Sequence, residues 1–339
     1  MKSYILVLCL LLLASCSGGE SPHTGDEPEE PKEIVKTYNN LDGLVRDCAD
    51  PYVLKHDGIY YLYGTGGSDG IKVYMSKNLA AWTKAQGVRN GYALYKDDVW
   101  GENSFWAPEV YYINGKFYMY YTSETKIAVA ESSSPLGPFV QSAEHQNPFH
   151  PNINEIDTHL FIDDDGTKYL YFVRTNNGNI IWGAELNDDL RSIKENTLTR
   201  CITAGSQAWE TKQGKIAEGP FMLKHKGIYY LTYSANHYQN PYYGVGYATS
   251  NSPLGPWEKY EGNPVLVGND LIQGLGHHSF VTVSETCKYI VYHSHYDVGI
   301  IAPRKLGIDL YDFIPATDGS PDILKVYGPT TTLQEVCSE

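Results

Sequence analysis

The chain has 339 residues, of which 42% are hydrophobic and 19% are charged, and its formal net charge at pH 7 is −14. This hydrophobic content is typical of a globular protein and excludes an intrinsically disordered chain. The negative charge and the lack of a basic run argue against nucleic-acid binding, because phosphates would be repelled. The 29 Tyr and 6 Trp favour β-strands and offer flat surfaces to hydroxylated ligands.

Residues 1–15 are predicted to be a lipoprotein signal peptide. Lys2 supplies a positive charge, and residues 4–14 form an apolar segment that is too short to span a bilayer. Leu13-Ala14-Ser15-Cys16 resembles a bacterial lipobox, in which the cysteine is acylated; an ordinary cleaved signal peptide is the alternative. Residues 16–40 continue as a Pro-, Gly- and Glu-rich flexible linker. We therefore expect an exported protein that Cys16 anchors to the bacterial outer membrane.

The cysteines beyond the predicted signal peptide and anchor are widely spaced. They form no CxxC pair, which argues against a zinc cluster. An exported location permits disulfides, and four cysteines allow three different pairings among which the sequence does not choose. These residues are Cys48, Cys201, Cys287 and Cys337.

A pattern of strand, short turn and strand occurs five times in the sequence. The clearest copies begin at Asp50, Ala107, Asp157 and Glu218, and a more divergent copy begins at Gly276. In the first four copies the turn ends in glycine, which tolerates the positive φ angles that tight hairpins require. The predicted two-residue turns are Asp57-Gly58, Asn114-Gly115, Asp165-Gly166, Lys226-Gly227 and Glu285-Thr286.

The spacing of these turns predicts the architecture. Successive turn glycines are 57, 51 and 61 residues apart, and the last step, to Thr286, is 59 residues. Each period has room for the hairpin and a weaker outer pair of strands, and no long segment has a helical hydrophobic period. Residues 41–335 therefore hold about five four-stranded units. Such units predict an all-β fold, a five-bladed β-propeller, with a long β-sandwich or two stacked barrels as the alternative.

Three acidic residues occur near the start of the first strand in a repeat. Counting back eight or nine residues from each turn gives Asp50, Asp157 and Glu218, whereas the second and fifth repeats offer Trp106 and His277. The first strand of a propeller blade lines the central channel, so these residues are predicted to meet at the axis. Burial and mutual repulsion raise the pKa of at least one carboxyl group, which provides a proton donor. Paired carboxylates are typical of glycoside hydrolysis; capping of turns or pairing with surface cations is the alternative.

With these residues identified, the chain resembles glycoside hydrolase family 43 over essentially the whole globular part. The family's three acidic motifs match Ala49-Asp50-Pro51, Ile156-Asp157 and Glu218-Gly219-Pro220. Two further elements of the family match residues 106–109, Trp-Ala-Pro-Glu, and residues 274–277, Gly-Leu-Gly-His. Each motif is weak alone, but five in the right order are specific.

The resemblance implies a five-bladed propeller with an inverting mechanism. It implies that Asp50 is the general base, that Glu218 is the general acid, and that Asp157 orients this acid and tunes its pKa. No cofactor is required for that chemistry. The resemblance also implies that His277 helps to hold a structural calcium ion, or a water around it, in the central channel.

Several neighbouring residues are further candidates for the site. Trp106 is predicted to form a wall on which a sugar stacks, with core packing between blades as the alternative. His278 is predicted to line the substrate pocket or to pack beside it. Glu109 and Asp47 are acidic rivals, but their positions relative to the repeat favour the three acids named above. The run at residues 163–166, Asp-Asp-Asp-Gly, is interpreted as a hairpin turn because no further EF-hand ligands follow.

Together with these residues, the resemblance implies an exo-acting glycosidase that releases a terminal pentose from plant cell-wall polysaccharide. The pentose is α-L-arabinofuranose or β-D-xylose, with arabinofuranose favoured. One alternative is an endo-arabinanase or a galactan-active enzyme of the same fold. Another is a non-catalytic surface lipoprotein that binds glycans through its Tyr and Trp residues. We expect a monomer whose partner is a polysaccharide or oligosaccharide and which binds no nucleic acid.

Overall fold

The computed structural model describes residues 36–85 and 89–337. The predicted signal peptide, Cys16 and nearly all of the predicted linker lie outside the described residues. Five antiparallel sheets of the described strands form the blades of a five-bladed β-propeller, and a separate two-stranded sheet joins the first and last strands, so the predicted fold class is confirmed. Among these residues, no helix has the length and apolar character needed to cross a membrane. The short 3₁₀ helices are Arg89–Gly91, Lys96–Asp98, Ala143–His145, Glu195–Thr197 and Ala208–Thr211.

Each blade consists of strands that follow one another in the sequence. After β1 (Thr37–Tyr38), blade 1 contains β2 (Ala49–His56), β3 (Ile59–Thr65), β4 (Gly70–Ser76), β5 (Thr83–Lys84) and β6 (Tyr92–Tyr95). Blade 2 contains β7 (Trp106–Ile113), β8 (Lys116–Ser123) and β9 (Lys126–Ser132). Blade 3 contains β10 (Glu155–Ile162), β11 (Lys168–Arg174), β12 (Ile180–Glu185) and β13 (Thr199–Thr203).

The remaining strands complete the ring. Blade 4 contains β14 (Ala217–His225), β15 (Ile228–Ala235), β16 (Gly244–Ser250), β17 (Glu258–Lys259) and β18 (Leu266–Val267). Blade 5 contains β19 (Gly276–Ser284), β20 (Cys287–Ser294), β21 (Lys305–Ile314) and β22 (Ile323–Val326), and β23 (Gln334–Glu335) follows it. The first strand of each blade is the innermost, as the repeat predicted.

The predicted turns are present with one exception. Asp57-Gly58, Asn114-Gly115 and Lys226-Gly227 each have positive φ at both residues, as primed turns require. The prediction of a two-residue turn at Asp165-Gly166 is wrong, because Ile162 pairs with Lys168 and five residues connect β10 to β11. Aspartate side chains stabilise this longer loop. The carboxylate of Asp163 accepts a hydrogen bond from the N–H of Asp164, and that of Asp165 accepts one from the N–H of Thr167, each at 2.8 Å.

Blade 2 also departs from the predicted four strands. Its fourth strand is reduced to an isolated bridge between Glu131 and Val140. The intervening segment contains Pro135 and Pro138, which have no N–H to donate to a neighbouring strand. The corresponding segment of blade 4 keeps only the two-residue strand β17. The outer edge of the propeller is therefore less regular than the inner hairpins.

Three features close the ring between blade 5 and blade 1. The terminal strands β1 and β23 pair with each other. Beneath them, a hydrophobic cluster joins residues of both blades, including Val53 and Leu62 of blade 1 and Val291 and Ile308 of blade 5. A disulfide between Cys287 and Cys337 attaches the C-terminal segment to blade 5, which settles the pairing that the sequence left open. Cys48 and Cys201 are free thiols.

We expect the disulfide to stabilise the closed ring. Replacing both Cys287 and Cys337 by serine should lower the free energy of unfolding by about 2–4 kcal/mol, because the unfolded chain loses a constraint across a separation of 50 residues. Differential scanning calorimetry should show a lower Tm, and Cys201→Ser should serve as the matched control with a smaller change. An unchanged Tm in the double variant would show that β1, β23 and the hydrophobic cluster suffice for closure.

Candidate active site

The same backbone irregularity occurs near the start of the innermost strand in every blade. In each case two residues bulge out of register with the next strand, and the first of them has a positive φ between 42° and 56°. Four of these five residues are not glycine, so the conformation is costly and points to a functional constraint. The five residues are Asp50, Ala107, Asp157, Gly219 and His277.

Hydrogen bonds between neighbouring blades hold four of the five bulges. In each case the N–H of the left-handed residue donates to a side chain on the second strand of the preceding blade. In that blade, the acceptor residue pairs with the residue that comes just before the blade's own bulge. The acceptors are two threonines, a serine and a histidine. The bonds run from Ala107 to Thr65 (3.0 Å), Asp157 to Thr122 (3.3 Å), His277 to Ser234 (2.8 Å) and Asp50 to His293 (3.2 Å).

Blade 3 interrupts this ring of hydrogen bonds. The equivalent position there is Val173, which has no acceptor atom. The N–H of Gly219 instead donates to Oδ2 of Asp157 at 3.2 Å. Because Val173 has no hydroxyl group, the Asp157 carboxylate takes its place as the acceptor. This carboxylate is therefore hydrogen-bonded to the residue that follows Glu218.

Glu218 differs in register from the other two acids. It pairs with Ser234 and precedes the bulge, whereas Asp50 and Asp157 are themselves bulge residues. Counting from the turns missed this one-residue offset, because the repeats differ in hairpin length. Gly219 takes the left-handed position, where an added Cβ would lie 3.2 Å from backbone and ring atoms of His277, so glycine alone fits without displacing that histidine.

Asp50 lies in a cationic environment. Its side chain accepts a hydrogen bond at Oδ1 from Nη1 of Arg304 at 2.9 Å and one at Oδ2 from the hydroxyl of Thr65. Nδ1 of His277 lies 3.3 Å from Oδ1. Burial alone would raise the pKa of Asp50, but Arg304, followed by His277, outweighs burial and holds this pKa well below its usual range. Asp50 is therefore ionised.

Glu218 has the opposite shift. Burial is the main cause that raises the pKa of its carboxyl group, and the nearby Asp50 charge adds to it. Oε1 accepts a hydrogen bond from the hydroxyl of Tyr243 at 2.9 Å, and Oε2 accepts one from the amide of Asn179 at 2.8 Å. These contacts fix the orientation of the carboxyl group from both sides.

Asp157 and His277 lie between these two acids. Burial, together with the charges of Glu218 and Asp50, raises the pKa of Asp157 to about 7. Nδ1 of His277 is 3.9 Å from Oδ2 of Asp157. Burial opposes protonation of His277, but the three carboxylates outweigh burial and raise its pKa. With Arg304 and His277 charged, the site is electrically balanced when Asp157 and Glu218 together retain one proton.

The structure brings Asp50, Asp157, Glu218 and His277 together, as the sequence predicted. Trp106 in blade 2 is equivalent to Glu218 in blade 4, because each lies just before the bulge of its blade. Trp106 is half-buried. It belongs to none of the hydrophobic clusters among the described residues, which favours the predicted sugar contact over core packing.

The other predicted candidates lie apart from this cluster. His278 is 2% exposed, and its Nε2 is 2.7 Å from the hydroxyl of Thr232, so its placement fits packing beside the pocket rather than sugar contact. The carboxylate of Glu109 contacts the hydroxyl of Tyr111 and Nδ1 of His159. Asp47 is exposed.

The predicted calcium ion was compared with the side chains present. In the part of the chain that the structure describes, no group of three or more His, Cys, Asp or Glu residues is arranged to hold a metal ion. Nδ1 of His277 faces the carboxylate of Asp50, which Arg304 already neutralises, rather than the set of oxygen ligands that calcium prefers. The calcium assignment stays a prediction, and no step below uses a metal.

Sequence reasoning missed four residues that form hydrogen bonds with Asp50 or Glu218. Arg304 lies in the connection between β20 and β21, and Asn179 lies just before β12, outside the repeated hairpins. Tyr243 is one of 29 tyrosines, and His293 lies on a second strand rather than a first strand. Burial, followed by the Arg304 charge, lowers the pKa of His293 to about 3, so its neutral Nδ1 can accept the N–H of Asp50. Of these four residues, only His293 could have been found from the sequence, by aligning the second strands of the repeats.

Arg304 provides a test of the electrostatic assignment. Arg304→Gln should raise the pKa of Asp50 and move the acidic limb of the kcat/KM–pH profile upward by about one to three pH units, because the nearest cation is lost. Arg304→Lys keeps the charge and should leave this limb near its wild-type position, whatever its effect on the maximal rate. An acidic limb that Arg304→Gln does not move would contradict the role of Asp50 as the ionised group.

Comparison with known proteins places this site in a family. The family model "Glycosyl hydrolases family 43" matches residues 44–313. A β-D-galactofuranosidase of Aspergillus niger is 31% identical over 270 residues, which cover 73% of this chain and 74% of that protein. An extracellular exo-α-(1→5)-L-arabinofuranosidase of Streptomyces chartreusis is 30% identical over 283 residues, which cover 74% of this chain and 81% of that protein.

A solved structure extends the match to nearly the whole described chain. The structure of an endo-1,4-β-xylanase from Bacteroides thetaiotaomicron is 43% identical, has a TM-score of 0.78, and aligns with 88% of this chain and 99% of its own. The family match, the five-bladed propeller and the cluster of carboxyl groups agree with one another. The chain belongs to glycosyl hydrolase family 43 and is a glycoside hydrolase.

Proposed function

We propose that the protein is an inverting exo-glycosidase that releases a terminal pentose from plant cell-wall polysaccharide. The observation that carries this proposal is the opposite direction of the two pKa shifts. Arg304 holds the pKa of Asp50 well below its usual range, and burial raises the pKa of Glu218. An ionised carboxylate as base and a carboxyl group with a raised pKa as acid are the two groups that hydrolysis with inversion requires.

In the proposed mechanism, Asp50 removes a proton from a water molecule that attacks the anomeric carbon. Glu218 donates its proton to the departing glycosidic oxygen as the bond to the sugar breaks. Inversion requires a separation of roughly 6.5–9.5 Å between the two carboxyl groups, so that a water molecule fits between the base and the sugar. Asp157, bonded to the N–H of Gly219, orients the strand that carries the acid.

Arabinofuranose is the favoured sugar in this proposal, with xylose as the second choice. Two of the similar proteins are named as an arabinofuranosidase and a galactofuranosidase, which supports a furanose in the pocket. The structure named as a xylanase supports xylose. Trp106, half-buried beside the acids, is proposed as the surface on which the sugar ring stacks.

An endo-arabinanase or a galactan-active enzyme with the same site is the second candidate function, and it differs in where along the polymer the bond is cut. A non-catalytic glycan-binding protein is disfavoured, because it would have no use for two carboxyl groups whose pKa values are shifted in opposite directions. Export agrees with the extracellular designation of the Streptomyces relative. Acylation of Cys16 and attachment to the outer membrane complete the proposal.

A product profile on arabinan, arabinoxylan and arabinogalactan tests the proposed function. We expect the free pentose as the first product, released from 4-nitrophenyl α-L-arabinofuranoside as well. Proton NMR during the first minutes should show the anomer opposite in configuration to the substrate. Oligosaccharides as first products would instead identify an endo-acting enzyme, and retained configuration would contradict the assignment of Asp50 as base.

A further inference from the structure

A polar cavity lies in blade 3, beside the residues that hold the general acid. Its volume is about 580 Å³, which falls within the range of roughly 300–1,000 Å³ that is usual for small-ligand pockets. Its walls come from the connection between blades 2 and 3, from the end of β11, and from β12 and β13. The residues that line it include Asn154, Arg174, Ile180, Trp182 and Arg200.

The position of this cavity relative to the acid follows from the chain. Ile180, which lines the cavity, directly follows Asn179, whose amide is bonded to Oε2 of Glu218. Asn154, on another wall, directly precedes β10, the strand that carries Asp157. A general acid stands on the side of the departing group. The cavity is therefore lined by the residue that follows a direct contact of the acid, and this link is the reason for relating it to the departing part of the substrate.

Two arginines of the cavity wall contact the same indole. Arg174 lies over the ring of Trp182 at 5.2 Å from its centroid, and Arg200 lies over the same ring at 5.4 Å. The indole attracts each cation and helps to hold both side chains in place. Guanidinium groups held in this way can donate charge-assisted hydrogen bonds to an anion in the cavity.

Of the two arginines, only Arg174 forms an ion pair with a carboxylate among the described residues. Nε of Arg174 donates to Oε1 of Glu155 at 2.9 Å, and Oε2 of this buried carboxylate is 2.7 Å from Nδ1 of His150. The other nitrogen of His150 faces Glu195 at 2.9 Å. In residues 36–85 and 89–337, no carboxylate forms an ion pair with the exposed side chain of Arg200. Arg200 is thus left without a carboxylate partner among the described residues, on a chain whose net charge is −14.

We propose that this cavity is a subsite for the departing part of the substrate and that it binds a carboxylate-bearing sugar, a uronic acid residue. Arg200 and the free nitrogens of Arg174 bind the carboxylate, and neighbouring asparagine side chains such as that of Asn154 bind hydroxyl groups. The inference rests on the proposed function, since it assigns the ligand of the departing side. It narrows the substrate class to acidic, uronic-acid-substituted polysaccharide.

Kinetics with matched substrates test the inference. The two substrates are oligosaccharides with the same terminal pentose, one with a glucuronic acid substituent on the remaining chain and one without. We expect Arg200→Gln to lower kcat/KM for the acidic oligosaccharide by about tenfold, because a charge-assisted hydrogen bond is lost. Turnover of the neutral oligosaccharide and of a 4-nitrophenyl pentoside should not change. Lys325→Gln removes one exposed positive charge from blade 5 and is the matched control.

Two results would overturn the inference: no preference of the wild-type protein for the acidic oligosaccharide, or an equal effect of Arg200→Gln on both substrates. Titration calorimetry with Glu218→Gln makes the test independent of turnover. Binding of the acidic oligosaccharide that Arg200→Gln weakens by about tenfold, and that Lys325→Gln preserves, supports the subsite. Failure of the wild-type protein to release pentose from any substrate would instead contradict the proposed function.

Discussion

The left-handed backbone at the start of each inner strand is the constraint on which the site depends. Four residues other than glycine adopt it, at a cost of about 1–3 kcal/mol each. Hydrogen bonds to the preceding blade offset this cost, so each bulge is stable only beside its neighbour. The carboxylates of Asp50 and Asp157 project from two of these bulges. The geometry of the site is therefore a property of the closed ring rather than of any one blade.

Ring closure has a direct chemical consequence. Asp50 belongs to blade 1, whereas Arg304 and His293, which set its charge and hold its backbone, belong to the blade 5 end of the chain, 254 and 243 residues away. The pairing of β1 with β23, the hydrophobic cluster and the Cys287–Cys337 disulfide keep these ends together. The features that stabilise the fold at its seam thus also keep the base ionised.

Much of the fold could be predicted from local sequence. Turn glycines and the alternation of aromatic and apolar residues identified the hairpins, and their regular spacing gave five blades and a central ring of acids. The outer strands were less predictable, because Pro135 and Pro138 leave blade 2 with three strands. The loop after Asp163 was mistaken for a two-residue turn, since aspartate–backbone hydrogen bonds compete with the primed turn that Asp-Gly favours.

The site was predictable only where it coincides with the repeat. Asp50 and Asp157 stand out at equivalent positions, but Glu218 lies one residue before its bulge, an offset that the differing hairpin lengths conceal in the sequence. Arg304, Asn179 and Tyr243 lie outside the repeated pattern, so only tertiary contacts identify them. Arg304 lowers the pKa of Asp50 while burial raises that of Glu218, and a list of acidic residues alone would not have assigned a base and an acid.

The central claim is that Asp50 acts as base and Glu218 as acid. Its most direct test compares leaving groups of different acidity in Asp50→Ala and Glu218→Ala. A departing group that needs no proton makes a general acid dispensable but not a general base. We predict that Glu218→Ala still cleaves a 2,4-dinitrophenyl pentoside and loses activity on an oligosaccharide, whereas Asp50→Ala loses both activities. The reverse pattern, or equal losses on both substrates in both variants, would contradict the account.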